Sequence, residues 1–223
     1  MSGSEPLHWK PRLLSFPQAL ELYDYESIER DLSLAKQCFD CIADREFGVI
    51  SRFTPQTSKD SREEFNAWCV FVSGSIHYRR CFSQGVRVHL SREDIAAKLS
   101  DDQLTLHDAL FDIANKHVAH SVNEMELGGT TIEIAIDSKG LVRRGGLGSR
   151  GSIIGPLGPN AYRAIGEMIL VIVDQVVAQR ISELKNSIRG LVDGLSDAEI
   201  LELPEGFPPY IENPTYGKRR KWP

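Results

Sequence analysis

The sequence lacks the features that place a protein in a membrane or outside the cell. Its longest uninterrupted apolar run extends only from Met168 to Val173, far short of the roughly 20 apolar residues that a membrane-spanning helix needs. The first twenty residues have neither the charged start nor the apolar stretch of a secretory signal. These absences predict a cytoplasmic protein with no membrane partner.

Cysteine is scarce, and its spacing does not favour a metal site. Of the four cysteines, Cys38 and Cys41 have Cys-x-x-Cys spacing. A second such pair with matching histidines would indicate a structural zinc site, and none is present. We therefore interpret the four thiols as small apolar side chains within helices, and we expect no metal and no cofactor.

An excess of positive charge is also missing. The formal net charge is -5 and the pI is about 5.7, which argues against a protein that coats nucleic acid or anionic membrane through bulk electrostatics. The 223 residues are 41% hydrophobic, so the chain can bury a substantial core. A local basic patch remains compatible with this composition.

Helical periodicity dominates the pattern that is present. The first predicted helix, about residues 25–45, carries Ile28, Leu32, Ala35, Phe39 and Ile42 at three- and four-residue spacing. Similar stripes predict three more long helices and two short ones that begin after Ser91 and Ser196. The sequence therefore predicts a mainly α protein, a four-long-helix up-and-down bundle. The further long helices are expected at about 60–82, 100–126 and 159–192.

A change from helical to alternating periodicity predicts a small β-hairpin at about 130–144, inserted before the last long helix. Polar and apolar residues alternate from Thr131 to Asp137, and a turn at 138–140 leads to a return strand. A glycine-rich loop is expected at 145–158. It lacks the Gly-Lys-Ser/Thr ending of a P-loop, which argues against phosphate binding there.

The chain is expected to divide into three parts. Residues 1–23 form an N-terminal arm, residues 24–203 form the helical bundle with its hairpin, and residues 204–223 form a proline-rich tail with a basic end.

The segment from Asn115 to Glu124 holds the densest cluster of titratable side chains. On a helix, Lys116, His120 and Glu124 would form one stripe, because they follow one another at four-residue spacing. His117 would lie beside this stripe. The cluster is therefore the first candidate for chemistry.

Three interpretations of this cluster stand side by side. His117 and His120 could share a metal, with Glu124 or His107 as further ligands, but the metalloprotease pattern His-Glu-x-x-His is absent. Alternatively, a histidine could transfer a proton in the cleavage of a phosphodiester. Finally, His120 could simply form hydrogen bonds within the bundle.

The acid–base interpretation needs cations that hold the phosphate. Lys116 is the nearest in sequence, and Arg79 and Arg80 at the end of the second helix are further candidates. The two arginines have a simpler explanation, because basic residues in a last helical turn complement the helix dipole.

The runs Asn-Lys-His-Val-Ala-His-Ser at 115–121 and Tyr-Arg-Arg-Cys-Phe at 78–82 resemble those of the HEPN superfamily, in particular its uncharacterised and abortive-infection-like branches. The resemblance covers about residues 24–192. It implies a helical bundle, commonly a homodimer, in a bacterial-type defence or stress role. Many members are metal-independent endoribonucleases whose motif is an arginine, then Asn, Asp or His, then a short spacer and a histidine.

On this resemblance, Asn115 matches the polar second position and His120 the catalytic histidine. The motif arginine would stand at position 114, where the chain has alanine, and this departure argues against ribonuclease activity. We therefore expect binding of RNA or a nucleotide at a cleft around Asn115, Lys116 and His120. The competing hypothesis is a non-enzymatic dimeric module that binds a protein partner and in which His120 is structural.

Overall fold

A computed structural model describes residues 10–44, 59–85, 87–115, 126–136, 138, 142–153 and 159–205. Helices predominate, and the predicted class, a mainly α bundle, is confirmed. The helices are α1 (Pro17–Asp44), α2 (Lys59–Phe82), α3 (Arg92–Ala96), α4 (Asp101–Ile113), α5 (Pro159–Ile172), α6 (Ala178–Asp193) and α7 (Asp197–Glu202), and the strands are β1 (Glu126–Ile136) and β2 (Val142–Ile153).

Helix α1 lies at the centre of the bundle and packs against α2, α5 and α6. Its predicted apolar stripe, from Ile28 to Ile42, is buried. Phe39 in this stripe contacts the rings of Phe71 on α2 and Tyr162 on α5, with ring centroids 6.3 and 6.2 Å away. Helices α1 and α2 approach closely at Gly74, where a Cβ atom would lie 2.9 Å from that of Cys38.

The start of α1 differs from the prediction. The helix begins at Pro17 rather than near residue 25, so the irregular arm ends at residue 16. Proline suits the first helical turn, whose N–H groups have no partner within the helix, and here it begins the helix instead of interrupting it. Asp24, the predicted cap, lies inside α1 and accepts a hydrogen bond from the backbone N–H of Val88.

Three serines begin helices as predicted. Ser91, Ser100 and Ser196 each accept a hydrogen bond from the backbone N–H three residues later, and the residue at that position bonds back to the serine N–H. These reciprocal capping boxes satisfy N–H groups that a helix leaves unpaired. The starts of α3, α4 and α7 are therefore encoded locally.

The hairpin is longer than predicted. Strands β1 and β2 pair antiparallel from Glu126 opposite Ile153 to Ile136 opposite Val142, with an irregularity between Ile132 and Ile134. The prediction of a glycine-rich loop is therefore wrong for residues 145–153, and residues 154–158 lie outside the described part. Strand pairing uses backbone groups, which glycine supplies as any residue does. Strand β1 begins at Glu126, so the third long helix, predicted for about residues 100–126, does not include that residue.

The last long helix, predicted for residues 159–192, is confirmed but contains an irregularity. Between α5 and α6, residues Val173–Val177 form a π-helical segment. Its predicted core residues from Ile165 to Ile188 are buried except Val176, which is half-buried, while Leu191 is exposed. A π segment is uncommon and often marks a functional position.

The end of the arm packs on the residues that follow α7. Arg12 donates a hydrogen bond to the carbonyl of Leu203 at 2.7 Å and forms an ion pair of 3.1 Å with Glu205. The backbone N–H of Leu13 bonds to the carbonyl of Pro204. Within the described residues, the two ends of the body are therefore held together, and the tail beyond residue 205 lies outside them.

The cysteines are less buried than predicted. Cys81 is buried and Cys38 and Cys41 are half-buried, but Cys69 is exposed on α2. Among the helices that the structure describes, none is long and apolar enough to cross a membrane.

Candidate functional site

Three of the five predicted site residues lie in the described part of the chain. Arg79 and Arg80 belong to the last turn of α2, and Asn115 follows α4. Lys116 and His120 lie outside the described residues, as do His117 and Glu124 of the metal hypothesis. The described part of the candidate site therefore consists of the end of α2 and Asn115.

The end of α2 presents consecutive side chains in three directions, because successive residues are separated by about 100° around a helix. His77 and Arg80 face Asp31 of α1, Tyr78 points into the core toward α4, and Arg79 reaches Asn115. These side chains therefore occupy three separate environments.

Arg79 and Asn115 form a direct contact between the ends of α2 and α4. The guanidinium Nε of Arg79 donates a hydrogen bond to the side-chain oxygen Oδ1 of Asn115, and both residues are half-buried. Within the residues that the structure describes, Arg79 has no ion pair with a carboxylate. Its positive charge is therefore oriented by a neutral partner and stays uncompensated in that part of the chain.

The carbonyl groups at the end of α2 are already bonded by other groups. The carbonyl of Arg79 accepts from the Ser83 hydroxyl at 2.9 Å, that of Arg80 from Arg87 at 3.0 Å, and that of Cys81 from the Leu90 N–H at 2.8 Å. The side chains of Arg79 and Arg80 are thus not needed as caps. A favourable interaction with the helix dipole therefore does not by itself explain why Arg79 contacts Asn115 and Arg80 faces Asp31.

Position 114, where the HEPN motif would have an arginine, faces the core. Ala114 is completely buried, and its N–H bonds to the carbonyls of both Leu110 and Phe111. Residues 114 and 115 continue α4 with π-helical geometry, which turns Asn115 relative to a regular helix. A long charged side chain at position 114 would have to enter the apolar interior, so the cation at Asn115 comes from α2 instead.

A second polar cluster surrounds Asp31, which the sequence analysis did not single out. The Asp31 carboxylate accepts hydrogen bonds from His77 Nδ1 at 2.8 Å and from Arg87 Nη2 at 2.7 Å, and Arg80 Nη1 lies 3.6 Å away. Arg87 also donates to Ser27 Oγ at 2.8 Å. We call these five residues the Asp31 cluster.

The Asp31 cluster contains more positive than negative charge. Burial by itself would raise the pKa of Asp31, whose side chain is only 8% exposed, but the hydrogen bonds from His77 and Arg87 outweigh burial and lower that pKa. Asp31 is therefore a carboxylate at neutral pH. Two arginines face this single negative charge, and Arg80 is largely exposed.

The third environment is the buried pair of Tyr78 and His107. The Tyr78 hydroxyl lies 2.6 Å from His107 Nδ1, and the imidazole packs against the rings of Phe82 and Phe111. Burial lowers the pKa of His107 and raises the pKa of Tyr78 well above its ordinary value. Both groups are therefore neutral near pH 7, and the hydroxyl donates to the imidazole nitrogen.

This pair argues against a metal at His107. Its Nδ1 is used by Tyr78, and its Nε2 lies 4.0 Å from Asp108, which forms a closer ion pair with Arg92. Among the described residues, no group of three or more potential ligands is close enough to hold a metal ion. His107, proposed from sequence as a further ligand, is a core side chain.

A separate cleft of about 190 Å³ lies beside the π segment. Its lining is part polar and part apolar and comes from α1, the α3 region and the last long helix. Pockets for small ligands usually measure about 300–1,000 Å³, so this cleft is a weaker candidate than the end of α2. The lining residues are Tyr25, Asp94, Lys98, Gln175, Val176, Gln179, Arg180 and Glu183.

Comparisons with known proteins give no match. No protein-family model, no curated protein and no solved structure matches this chain.

Sequence reasoning missed the Asp31 cluster, although one signal could have found it. Asp31 lies three residues after Ile28 and one before Leu32, so it falls on the apolar stripe of α1. A charge at such a position predicts a buried ionic partner. Arg87, which supplies that partner, comes from a loop 56 residues away and could not be identified from spacing.

Proposed function

We propose that the protein is a HEPN-like helical bundle that binds RNA or a nucleotide at the end of α2, around Arg79, Asn115 and His120, in a defence or stress role. The observation that carries the proposal is the hydrogen bond from Arg79 to Asn115. This bond joins the cation Arg79, at the end of α2, to Asn115, the residue after α4 that matches the polar position of the HEPN motif.

The geometry supports Arg79 as the group that replaces the missing motif arginine. Its Nε is used by Asn115, and among the described residues no acceptor is bonded to the two terminal nitrogens of the guanidinium fork. Such a fork suits two oxygens of one phosphate. Arg80 is a less suitable substitute, because its charge is shared with Asp31.

Binding is tested by fluorescence anisotropy with a labelled single-stranded RNA over a range of salt concentrations. We expect Arg79→Met to weaken binding about tenfold and to reduce the slope of log K against log salt by about 0.7, because one phosphate contact is lost. Arg189→Met, which removes an equal charge from an exposed position on α6, is the matched control. Equal effects of the two changes would argue for nonspecific charge and against this site.

Cleavage is a separate question, and the activity proposed for it is that of a metal-independent endoribonuclease. We expect any cleavage of total RNA to persist in EDTA and to be lost in His120→Ala with an unchanged melting temperature. Binding without cleavage would identify a degenerate member that keeps the phosphate site. A large loss of stability in His120→Ala would instead support a structural histidine.

The second candidate function is a non-enzymatic homodimer that binds a protein partner. It is favoured by large apolar side chains exposed on the long last helix, where Leu170 is 46% and Leu191 40% exposed. Exposed apolar groups on a long helix suit a contact with a second copy. Sedimentation analysis of Leu170→Glu and Leu191→Glu tests this, because a dimer formed through this face should dissociate.

A further inference from the structure

The cleft beside the π segment takes no part in the proposed function. The backbone N–H of Ala178 bonds to the carbonyl of Val173, five residues earlier, so this helical turn is wider than an α-helical one. Gln175 and Val176 belong to the widened turn, and both line the cleft together with Tyr25 of α1. Because π turns often mark functional positions, the cleft is the next place to look for a ligand.

The volume of the cleft limits the size of that ligand. A volume of about 190 Å³ corresponds to about six water molecules, since each occupies ~30 Å³ in the liquid. This is below the range of pockets that hold drug-sized molecules. The cleft therefore suits a molecule much smaller than a nucleotide.

One side of the cleft offers acceptors for a cation. The Asp94 carboxylate accepts a hydrogen bond from the Ser91 backbone N–H at 2.6 Å, and no described cation forms an ion pair with it. Burial raises the pKa of the neighbouring Tyr25, and the carboxylates of Asp94 and Glu21 raise it further, so the hydroxyl stays neutral. None of the described residues forms a hydrogen bond with this hydroxyl. A carboxylate and a phenol oxygen are therefore available on this side.

The unbalanced positive charge of the cleft lies on Lys98. Arg180, the other cation of the lining, is held by Glu21 at 2.8 Å and by Glu183 at 3.1 Å. Lys98 is exposed and pairs with no carboxylate in the part of the chain that the structure describes. It is not among the main charges that act on the Tyr25 hydroxyl, which places its ammonium group toward another side of the cleft. The lining is thus dipolar.

We propose that this cleft binds a small zwitterion, a free α-amino acid, with its ammonium group at Tyr25 and Asp94 and its carboxylate at Lys98. A dipolar ligand matches a dipolar lining, whereas a simple anion would meet Asp94 and a simple cation would meet Lys98. Gln175 lines the same space, and its amide can donate to the carboxylate. Charge-assisted hydrogen bonds at both ends suit a ligand that is too small to bury much apolar surface.

The proposal is tested by NMR titration of the isotopically labelled full chain with L-alanine and with two derivatives that each lack one charge. L-Alaninamide has no carboxylate, and N-acetyl-L-alanine has no ammonium group. We expect L-alanine to bind with a Kd of about 1 mM and each derivative to bind about tenfold more weakly, because one charge-assisted contact is lost. The largest shifts should occur at the backbone signals of Gln175 and Val176.

Two variants at exposed positions assign the ends of the ligand. Lys98→Met should weaken the binding of L-alanine about tenfold and leave that of L-alaninamide unchanged, since the amide does not use this charge. Asp94→Asn, whose amide oxygen can still accept from Ser91, should remove the preference for L-alanine over N-acetyl-L-alanine. Lys185→Met is the matched control, because Lys185 is an exposed lysine outside the lining, and it should bind L-alanine as the wild type does.

The proposal is wrong if the three compounds bind equally or if Lys98→Met binds L-alanine as tightly as the wild type. Undetectable binding at about 10 mM L-alanine would also overturn it, and this is the result expected if Asp94 and Lys98, four residues apart, simply pair with each other in solution. Arg79→Met should not change the affinity for L-alanine, so the outcome here is independent of the RNA site.

Discussion

Two histidines near the end of α2 show how surroundings decide what the same side chain does. His77 is bonded to a carboxylate, lies among two arginines and is partly exposed. His107 is bonded to the Tyr78 hydroxyl, lies among aromatic rings and is buried. The first therefore lies in a charged environment, whereas the second is held neutral by its apolar environment.

The comparison predicts that the polar groups of the two regions differ in their contribution to stability. The largest effect is expected for Asp31→Ala, because it leaves Arg87, only 12% exposed, without its ionic partner. Removing one member of a buried ion pair destabilises a protein by about 3 kcal/mol or more. We expect a loss at the lower end, about 3 kcal/mol, because the second arginine of the cluster, Arg80, is exposed and remains solvated. Urea unfolding measures this free energy.

Asp108→Ala is the matched control for Asp31→Ala. Asp108 also pairs with an arginine, Arg92, at 2.9 Å, but both side chains are about half exposed. Exposed ion pairs contribute little to stability. A loss as large in Asp108→Ala as in Asp31→Ala would mean that burial does not distinguish the two pairs.

An intermediate effect is expected for Tyr78→Phe. The change keeps the ring and its contact with Phe82, but leaves the buried Nδ1 of His107 without a donor. The expected loss is about 1–2 kcal/mol in the free energy of unfolding. Tyr23→Phe, on a ring that is 45% exposed, should cost less, and an equal loss would show that the hydroxyl of Tyr78 is not specially placed.

The smallest effect is a pH dependence. The pKa of His107 is lowered by burial from 6.5, so the unfolded chain takes up this proton as the pH falls through 6.5 while the native protein does not. Stability should therefore decrease below pH 6.5. Asp31, whose pKa lies below 3.8, contributes stability that is lost only as the pH falls through that lower range.

His107→Gln separates these two contributions, since its amide oxygen can still accept from Tyr78. The stability of this variant should change less between pH 7 and pH 5 than that of the wild type. An unchanged dependence would show that His107 takes up protons equally in the folded and the unfolded chain, against the assignment of a neutral pair held by burial.

The bundle was largely predictable because apolar stripes and serine caps act over a few residues. Ile28 to Ile42 and Ser100 needed no information from elsewhere in the chain. Strand β2 was not predictable in full, because its glycines pair through backbone groups that leave no alternating pattern.

The candidate site was predictable only in part, because its contacts are long-range. Arg79 and Asn115 were both candidates from sequence, but their hydrogen bond joins residues 36 positions apart. The Asp31 cluster joins α1, α2 and a loop. Local spacing cannot show which of several arginines reaches a given carboxylate or amide.

The central claim, that Arg79 and Asn115 act together on a phosphate, is tested most directly by a double-mutant cycle in RNA affinity. Arg79→Met, Asn115→Ala and the double variant are compared with the wild type. We predict a coupling free energy of about 1 kcal/mol or more, as expected for residues in direct contact that share a ligand. Strictly additive losses would contradict the claim, because they would show that the two side chains contribute to binding independently.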